Sequence, residues 1–152
     1  MNKDIVLTVG NNMMGDDGAG PLLFELMQQQ PSPYWQAIDG GSAPENSAHL
    51  IRELKPNRLV IVDAAEMELP AGEIRIIPKE AIAEMFFMST HNLPLNFLIE
   101  QLEQDIGEVV FIGIQPDIVS FAFPMTEAVK QAVSQLHQAF KEQDDFKKFF
   151  IL

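Results

Sequence analysis

The chain has 152 residues, of which 47% are apolar, so we expect a single domain spanning 1–152 with a buried core. Its 22 acidic and 10 basic side chains give a net charge of −12, which disfavours nucleic acid and anionic membranes as partners. The sequence has no cysteine, which excludes disulfides, thiolate metal ligands and a cysteine nucleophile. Without an apolar run of membrane-spanning length or a secretion signal, a cytoplasmic location is expected.

The first half of the chain is predicted to alternate strands with helices. Its buried strands are short apolar runs bounded by turn residues: Ile5–Val9, Trp35–Ile38 and Leu59–Val62. A first helix is predicted from Pro21 and a second from Asn46 or Ser47. On the second helix we expect Leu50, Ile51 and Leu54 to face the core, because all three follow its apolar periodicity.

The second half of the chain continues the alternation with one exception. Glu73–Ile77 alternates apolar and polar residues, which predicts an antiparallel edge strand. The segment Ala81–Met88 is compatible with one or two helical turns, and a helix is predicted from Leu93 to Glu103. A further buried strand is predicted at Val109–Ile114, and a last helix opens at Thr126.

This order of elements predicts an α/β fold with three layers. Strands that alternate with helices pair in parallel through right-handed crossovers, which places helices on both faces of the sheet. We therefore expect a three-layer α/β/α protein with a twisted, mostly parallel sheet of about five strands and one antiparallel edge strand. The tail Phe146–Leu152 is compatible either with packing on this body or with an exposed, sticky end.

Acidic residues follow the predicted strands at the points where those strands end. Asp16 and Asp17 come after the first strand, Asp39 ends the second and Asp63 ends the third. His91 begins a helix further along the chain. Because ligands bind outside the carboxyl ends of parallel strands, we expect these five side chains to lie at one edge of the sheet.

The glycine-rich turn after the first strand has the wrong charge for phosphate. Gly10 and Gly15 have the spacing of a phosphate-binding loop, but that motif continues with lysine and serine or threonine, where this chain has Asp16 and Asp17. These carboxylates would repel a nucleotide phosphate. A dinucleotide fingerprint is disfavoured as well, because the later glycines are out of order and Asp17 would face the pyrophosphate.

A divalent cation is the better occupant of an acidic turn. Carboxylates with one imidazole form a mixed oxygen and nitrogen ligand set that suits nickel, zinc, manganese or iron. Each candidate also has a plainer interpretation. Asp16 and Asp17 are suited to capping the following helix, Asp39 and Asp63 to turning the chain, and His91 to a helix start without a ligand role.

Other polar and sulfur-containing residues receive no role in this hypothesis. His49 and His137 lie on predicted helices and are expected to be solvated. Ser42 lacks the nucleophile-elbow motif, which disfavours a serine hydrolase. Four methionines suit either the rim of a pocket or gaps in the core: Met13, Met14, Met85 and Met88.

Five segments together give the chain a specific resemblance. They occur in the order Val9–Gly20, Asp39–Asn46, Ile61–Ala64, Thr90–Leu95 and Gly113–Asp117. In this order and spacing the chain resembles the NiFe-hydrogenase maturation endopeptidases over nearly its whole length, fading after about Phe140. Within that family it is most similar to the type that serves the hydrogenase of the formate hydrogenlyase complex.

The resemblance implies a substrate and a set of site residues. Members of the family clip a C-terminal extension from the hydrogenase large-subunit precursor after nickel insertion. By motif position, the family's metal-binding triad falls on Asp17, Asp63 and His91, and a further acid tied to activity falls on Asp39. The first ligand is glutamate in many relatives, so Asp17 reaches one methylene less far. The implied cofactor is nickel carried by the precursor, with zinc or cadmium able to substitute in vitro.

Two mechanisms and two other functions remain open at this point. In one mechanism the triad checks the precursor's nickel, and cleavage uses a water activated by the metal or by a nearby carboxylate. In the other, which gives the family its aspartic-type label, two acids such as Asp17 and Asp39 act as a protease pair; it is disfavoured because a shared-proton dyad works best in acid. The alternative functions are a non-proteolytic chaperone that binds nickel or the precursor, and a small-molecule metallohydrolase.

Overall fold

The computed structural model describes residues 3–82, 95–142 and 145–151. Five strands lie in this part of the chain: β1 Asp4–Val9, β2 Trp35–Gly41, β3 Arg58–Ala64, β4 Ile74–Ile77 and β5 Glu108–Ile114. The same residues form five α-helices: α1 Ala19–Gln29, α2 Ala48–Leu54, α3 Lys79–Ile82, α4 Leu95–Glu103 and α5 Glu127–Lys141. Short 3-10 turns precede α1 and α2 and follow α5: Gly15–Gly18, Pro44–Ser47 and Asp145–Lys148.

The strands form one sheet in the order β2-β1-β3-β5-β4. β1 pairs in parallel with β2 and β3, β3 pairs in parallel with β5, and β4 is antiparallel to β5 at the edge. The predicted mostly parallel sheet with one antiparallel edge strand is confirmed. From β1 the chain first turns to one side, to β2, and then crosses to the other side, to β3. The carboxyl ends of β1 and β3 therefore form the topological switch point, where ligands bind in such sheets.

Helices cover both faces of the sheet, as predicted. Successive strand residues point to opposite faces, so Val60 and Val62 pack with α1 and α5, whereas Leu59 and Ile61 pack with α2 and α4. The apolar stripe of α5 is buried at Val129, Val133, Leu136 and Phe140. No helix within the described residues is both long and apolar enough to cross a membrane.

Two predictions about helix surfaces were wrong. Leu50 is exposed, because α2 is a short helix that buries Ala48 and Ile51, and Leu50 is one position, about 100°, around from Ile51. His137 is buried and not solvated, with a ring nitrogen 3.0 Å from the carbonyl oxygen of Gln30. It follows Val133 by four residues and so lies on the stripe that α5 packs inward.

The tail packs on the body through part of its length. Phe146 is buried, with its ring centroid 5.4 Å from that of Trp35 in an edge-to-face arrangement. The backbone N–H of Ile76 donates to the carbonyl oxygen of Phe150 at 2.8 Å, and Ile151 forms a parallel bridge with Ile76, so the tail covers part of the outer edge of β4. The side chain of Phe150 itself is 74% exposed.

Several predicted features lie outside the described residues. These are His91, Met85, Met88, the segment 83–88, and the first two residues of the helix predicted from Leu93. Among the residues that are described, His49 is exposed, as predicted, and its Nε2 lies 2.9 Å from a carboxylate oxygen of Glu53. Met13 is exposed, so it fills no gap in the core.

Candidate active site

Asp63 brings a carboxylate into the interior near the carboxyl end of β3. It pairs with Gly113 of β5 and continues the row of Leu59 and Ile61, the face of the sheet that α4 covers. The residue is buried. Burial first, and the neighbouring Asp17 carboxylate second, raise the pKa of Asp63 well above its ordinary value, and a hydrogen bond from the backbone of Ala64 offsets only part of that rise.

Asp17 reaches the same place from the turn after β1. The turn folds tightly: the N–H of Asp17 donates to the carbonyl oxygen of Met14 at 3.1 Å, and the N–H of Asn11 donates to Oδ2 of Asp17 at 3.0 Å. Gly10, at φ +143°, permits this fold, because a Cβ there would lie 2.1 Å from the carbonyl oxygen of Asp17. The side chain of Asp17 is buried as a result.

The switch point of the sheet therefore holds two buried acids, which we call the acid pair, Asp17 and Asp63. Two negative charges this close in a poorly hydrated place repel one another unless a proton or a cation lies with them. The donor set of the pair fits a divalent cation. His91, the third predicted ligand, lies outside the described residues, and within 3–82, 95–142 and 145–151 no three His, Cys, Asp or Glu side chains are grouped closely enough to hold a metal ion.

Asp16 is buried like Asp17, but its carboxylate binds a distant loop of the chain. Its carboxylate accepts hydrogen bonds from the N–H groups of Asp117, Ile118 and Thr126, at 2.8, 3.2 and 2.7 Å, and from Oγ1 of Thr126 at 2.9 Å. The capping interpretation of Asp16 and Asp17 was wrong, because α1 starts at Ala19 after a 3-10 turn and receives no side-chain cap. Asp16 instead fastens the loop between β5 and α5.

Asp39 lies at the mouth of the site and not beside the acid pair. Its exposed carboxylate accepts a hydrogen bond from the N–H of Gly41 at 2.9 Å. The turn interpretation of Asp39 was wrong, because β2 continues through this residue to Gly41. Asp39 also lines a cavity of about 250 Å³, together with Gly10, Asn11, Asn12, Pro21, Gly41 and Ser42. Since the backbone of Asn11 binds Asp17, this cavity borders the acid pair.

Gln115 holds the segment next to Asp63 in place, although its local sequence predicts only the end of a strand. It is buried, and its Oε1 accepts hydrogen bonds from the N–H groups of Met67 at 2.7 Å and Leu69 at 3.3 Å. These bonds hold the segment that follows Asp63. The signal was present in the segment Gly113–Asp117, where a buried amide directly follows an apolar strand.

Fold and site together define a class: three-layer α/β proteins with an acidic site at the switch point of the sheet. The sequence model of the hydrogenase maturation protease family matches residues 21–143. The hydrogenase 3 maturation protease of Escherichia coli is 62% identical over 135 residues, covering 89% of this chain and 86% of the relative. A putative hydrogenase maturation protease of Methanocaldococcus jannaschii is 30% identical over 143 residues, covering 88% and 83%.

Solved structures agree with the sequence comparisons. The solution structure of an endopeptidase of Escherichia coli matches with a TM-score of 0.90 at 57% identity, covering 99% of this chain and 96% of that one. A NiFe-hydrogenase maturation protease of Thermococcus kodakarensis matches with a TM-score of 0.81 at 28% identity, covering 93% and 92%. This chain belongs to the hydrogenase maturation protease family. It is a hydrolase of the endopeptidase type.

Proposed function

We propose that this protein removes a C-terminal extension from the nickel-loaded precursor of a NiFe-hydrogenase large subunit and so activates that hydrogenase. Family membership and the 62% identity to a hydrogenase 3 maturation protease support this substrate class. The net charge of −12 speaks against a role on nucleic acid. We place the reaction in the cytoplasm, a reducing compartment to which a chain without cysteine is suited.

The observation that carries the proposal is the burial of Asp17 and Asp63 side by side at the switch point. A cation held by both carboxylates relieves the repulsion between them. When that cation belongs to the precursor, this stabilisation exists only in the enzyme–precursor complex, and so it favours binding of a loaded precursor. Nickel is then part of the substrate, held by Asp17, Asp63 and His91 as a check that the precursor is loaded. Zinc or cadmium would occupy the same oxygen and nitrogen ligands in vitro.

Asp39 is the group we assign to the cleavage step. Its carboxylate is exposed and lines the open cavity that borders the acid pair, so water has access to it. Water adds through its oxygen to the scissile carbonyl carbon, and Asp39 accepts the proton that the water loses. The proton passes to the leaving nitrogen as the C–N bond breaks, which yields a new carboxyl terminus and a free peptide.

The test is incubation with a nickel-loaded large-subunit precursor, followed by mass spectrometry of both products. We expect the precursor to lose the mass of a C-terminal peptide with wild-type enzyme. No such loss is expected with Asp17→Asn, Asp63→Asn or His91→Ala. Asp39→Asn should lower kcat by about 10²–10⁴-fold while KM stays close to wild type.

A matched control variant is Glu108→Gln, which alters an exposed acid at the start of β5. This position lies at the amino ends of the parallel strands, whereas the acid pair lies at their carboxyl ends. The control variant should cleave as wild type does. Full activity in Asp17→Asn or His91→Ala would contradict the proposal that these residues bind the nickel of the precursor. Tight precursor binding without any mass loss would instead assign the protein as a non-proteolytic chaperone.

A further inference from the structure

Large exposed apolar side chains are concentrated in the loop between β5 and α5. We call residues Ile118–Phe123 the apolar loop. Its exposed members are Ile118, Val119, Phe121 and Phe123, and the two phenylalanines expose 65% and 52% of their surface. Between Pro116 and Thr126 the only charged residue is Asp117, in a chain with 21% charged residues. Contiguous exposed apolar surface of this kind is uncommon on a protein that has no partner for it.

Hydrogen bonds fix the apolar loop to the turn that carries Asp17. The Asp16 carboxylate accepts hydrogen bonds from Ile118, at the start of the apolar loop, and from Thr126, three residues beyond its end. The N–H of Asp16 donates to the carbonyl oxygen of Ile118 at 2.8 Å. In the middle of the loop, the N–H of Ala122 donates to the carbonyl oxygen of Met13 at 2.8 Å. The loop and the turn are therefore one unit.

Gly15 shows how closely the two segments approach. Its φ is +58°, and a Cβ at this position would lie 2.4 Å from the carbonyl oxygen of Ile118. Only glycine permits both the positive φ and this contact. Since Gly15 is two residues from Asp17, the apolar side chains are displayed at a fixed place relative to the acid pair.

We propose that the apolar loop is the docking surface for the body of the hydrogenase large-subunit precursor, on an apolar patch next to its C-terminal extension. The inference rests on the proposed function and adds where the partner binds. The loop is continuous with the turn of Asp17, so a partner seated on it lies next to the acid pair and the cavity of Asp39. Docking there places the extension and its nickel at the site before cleavage, which raises the effective concentration of the scissile bond.

Two other occupants fit the surface less well. A second copy of this chain on the loop would crowd the mouth of the acid pair and hinder access of a large substrate. An anionic membrane is disfavoured because the sequence has no lysine or arginine between Arg75 and Lys130 apart from Lys79, and the loop is followed by Glu127.

The experiment compares the double variant Phe121→Ser, Phe123→Ser with a control, Phe97→Ser, which removes a 49% exposed phenylalanine on α4. With nickel-loaded precursor as substrate, we expect the double variant to raise KM about 10–100-fold with kcat near wild type. The control should change neither parameter. Phe121→Trp, which keeps a large apolar side chain, should retain a KM close to wild type.

Each outcome separates the docking surface from the function itself. If wild-type enzyme does not cleave the precursor, the proposed function fails. If wild type cleaves and the double variant has an unchanged KM with an unaltered melting temperature, only the docking surface is overturned. Light scattering that shows a wild-type dimer lost in the double variant, with KM unchanged, assigns the loop to a second copy. Loss of sedimentation with phosphatidylglycerol vesicles, with KM unchanged, assigns it to a membrane; both results overturn the proposal.

Discussion

Thr126 donates two hydrogen bonds to the carboxylate of Asp16, from its N–H at 2.7 Å and from its Oγ1 at 2.9 Å, although the two residues are 110 positions apart. Two adjacent acids thus have different environments. Asp16 is surrounded by donors from a distant loop, whereas Asp17 faces a second carboxylate. This difference predicts that the same substitution, aspartate to asparagine, lowers stability more at Asp16 than at Asp17.

Asp16→Asn should destabilise the protein. Oδ2 of Asp16 accepts three of the four bonds and Oδ1 accepts one, so an amide in its better orientation turns its NH₂ group toward the N–H of Thr126. That N–H loses its acceptor, and the other bonds lose the negative charge that strengthens them. We expect the free energy of unfolding to fall by about 1–3 kcal/mol. Urea denaturation followed by circular dichroism measures this loss, with Asp17→Asn as the matched variant. A fall for Asp17→Asn as large as that for Asp16→Asn would contradict the assignment of the two acids.

Asp63→Asn should stabilise the apo protein at neutral pH while abolishing cleavage. The pKa of Asp63 is raised in the folded state, so the unfolded chain releases this proton first as the pH rises. Its contribution to stability is therefore favourable below the ordinary carboxyl pKa and is lost as the pH rises through the folded pKa. Urea denaturation from acid to neutral pH should show the advantage of the variant grow with pH. If Asp63→Asn is less stable than wild type at pH 7, the ionised carboxylate of Asp63 does not destabilise the folded protein, and the prediction is wrong.

Phe146→Ala should be costly and Phe150→Ala nearly neutral, although both residues belong to the tail. Phe146 is buried against Trp35, and truncation of a buried phenylalanine costs about 3–5 kcal/mol. Phe150 is 74% exposed, and such positions change stability by less than about 0.5 kcal/mol. Thermal and urea denaturation distinguish the two. Equal effects would mean that the tail packs as one unit or not at all.

Gln115→Leu should loosen the segment that follows Asp63. The N–H groups of Met67 and Leu69 lose their common acceptor, and a buried unsatisfied donor costs about 1–3 kcal/mol. Hydrogen exchange resolved by residue should show faster exchange at these two amides, with exchange in α5 changed only as far as global stability changes. Unaltered protection at Met67 would show that another group holds this segment.

The fold could be predicted because each of two buried strands has two local signals, an apolar run and a residue at its end that breaks the run. Leu59–Val62 is an uninterrupted apolar run and ends at an acid, and the strand-like run Ile5–Val9 ends at Gly10. Local pattern also placed Thr126 at the start of α5, where it is found. Such signals depend on neighbours in the chain, which a sequence displays directly.

Relationships between distant segments could not be predicted in the same way. Nothing near Asp16 indicates that its partners are Asp117, Ile118 and Thr126, so the local sequence suggests only a cation ligand or a helix cap. For His137 two local signals conflict: its spacing from Val133 places it on the buried stripe of α5, whereas the polarity of an imidazole favours exposure. Asp17 and Asp63 do lie together at the carboxyl ends of the strands, as predicted. Asp17 follows β1 and Asp63 lies in β3, and these two strands form the switch point.

The bond between Asp16 and Thr126 also sets the order in which the protein can become competent during its synthesis. A ribosome releases the turn of Asp16 and Asp17 early, but the donors that satisfy Asp16 emerge more than a hundred residues later. Until they arrive, a desolvated carboxylate without partners opposes closure of the turn. A nascent chain that ends before Thr126 therefore lacks groups that bind Asp16 and hold the turn of Asp17 against the loop.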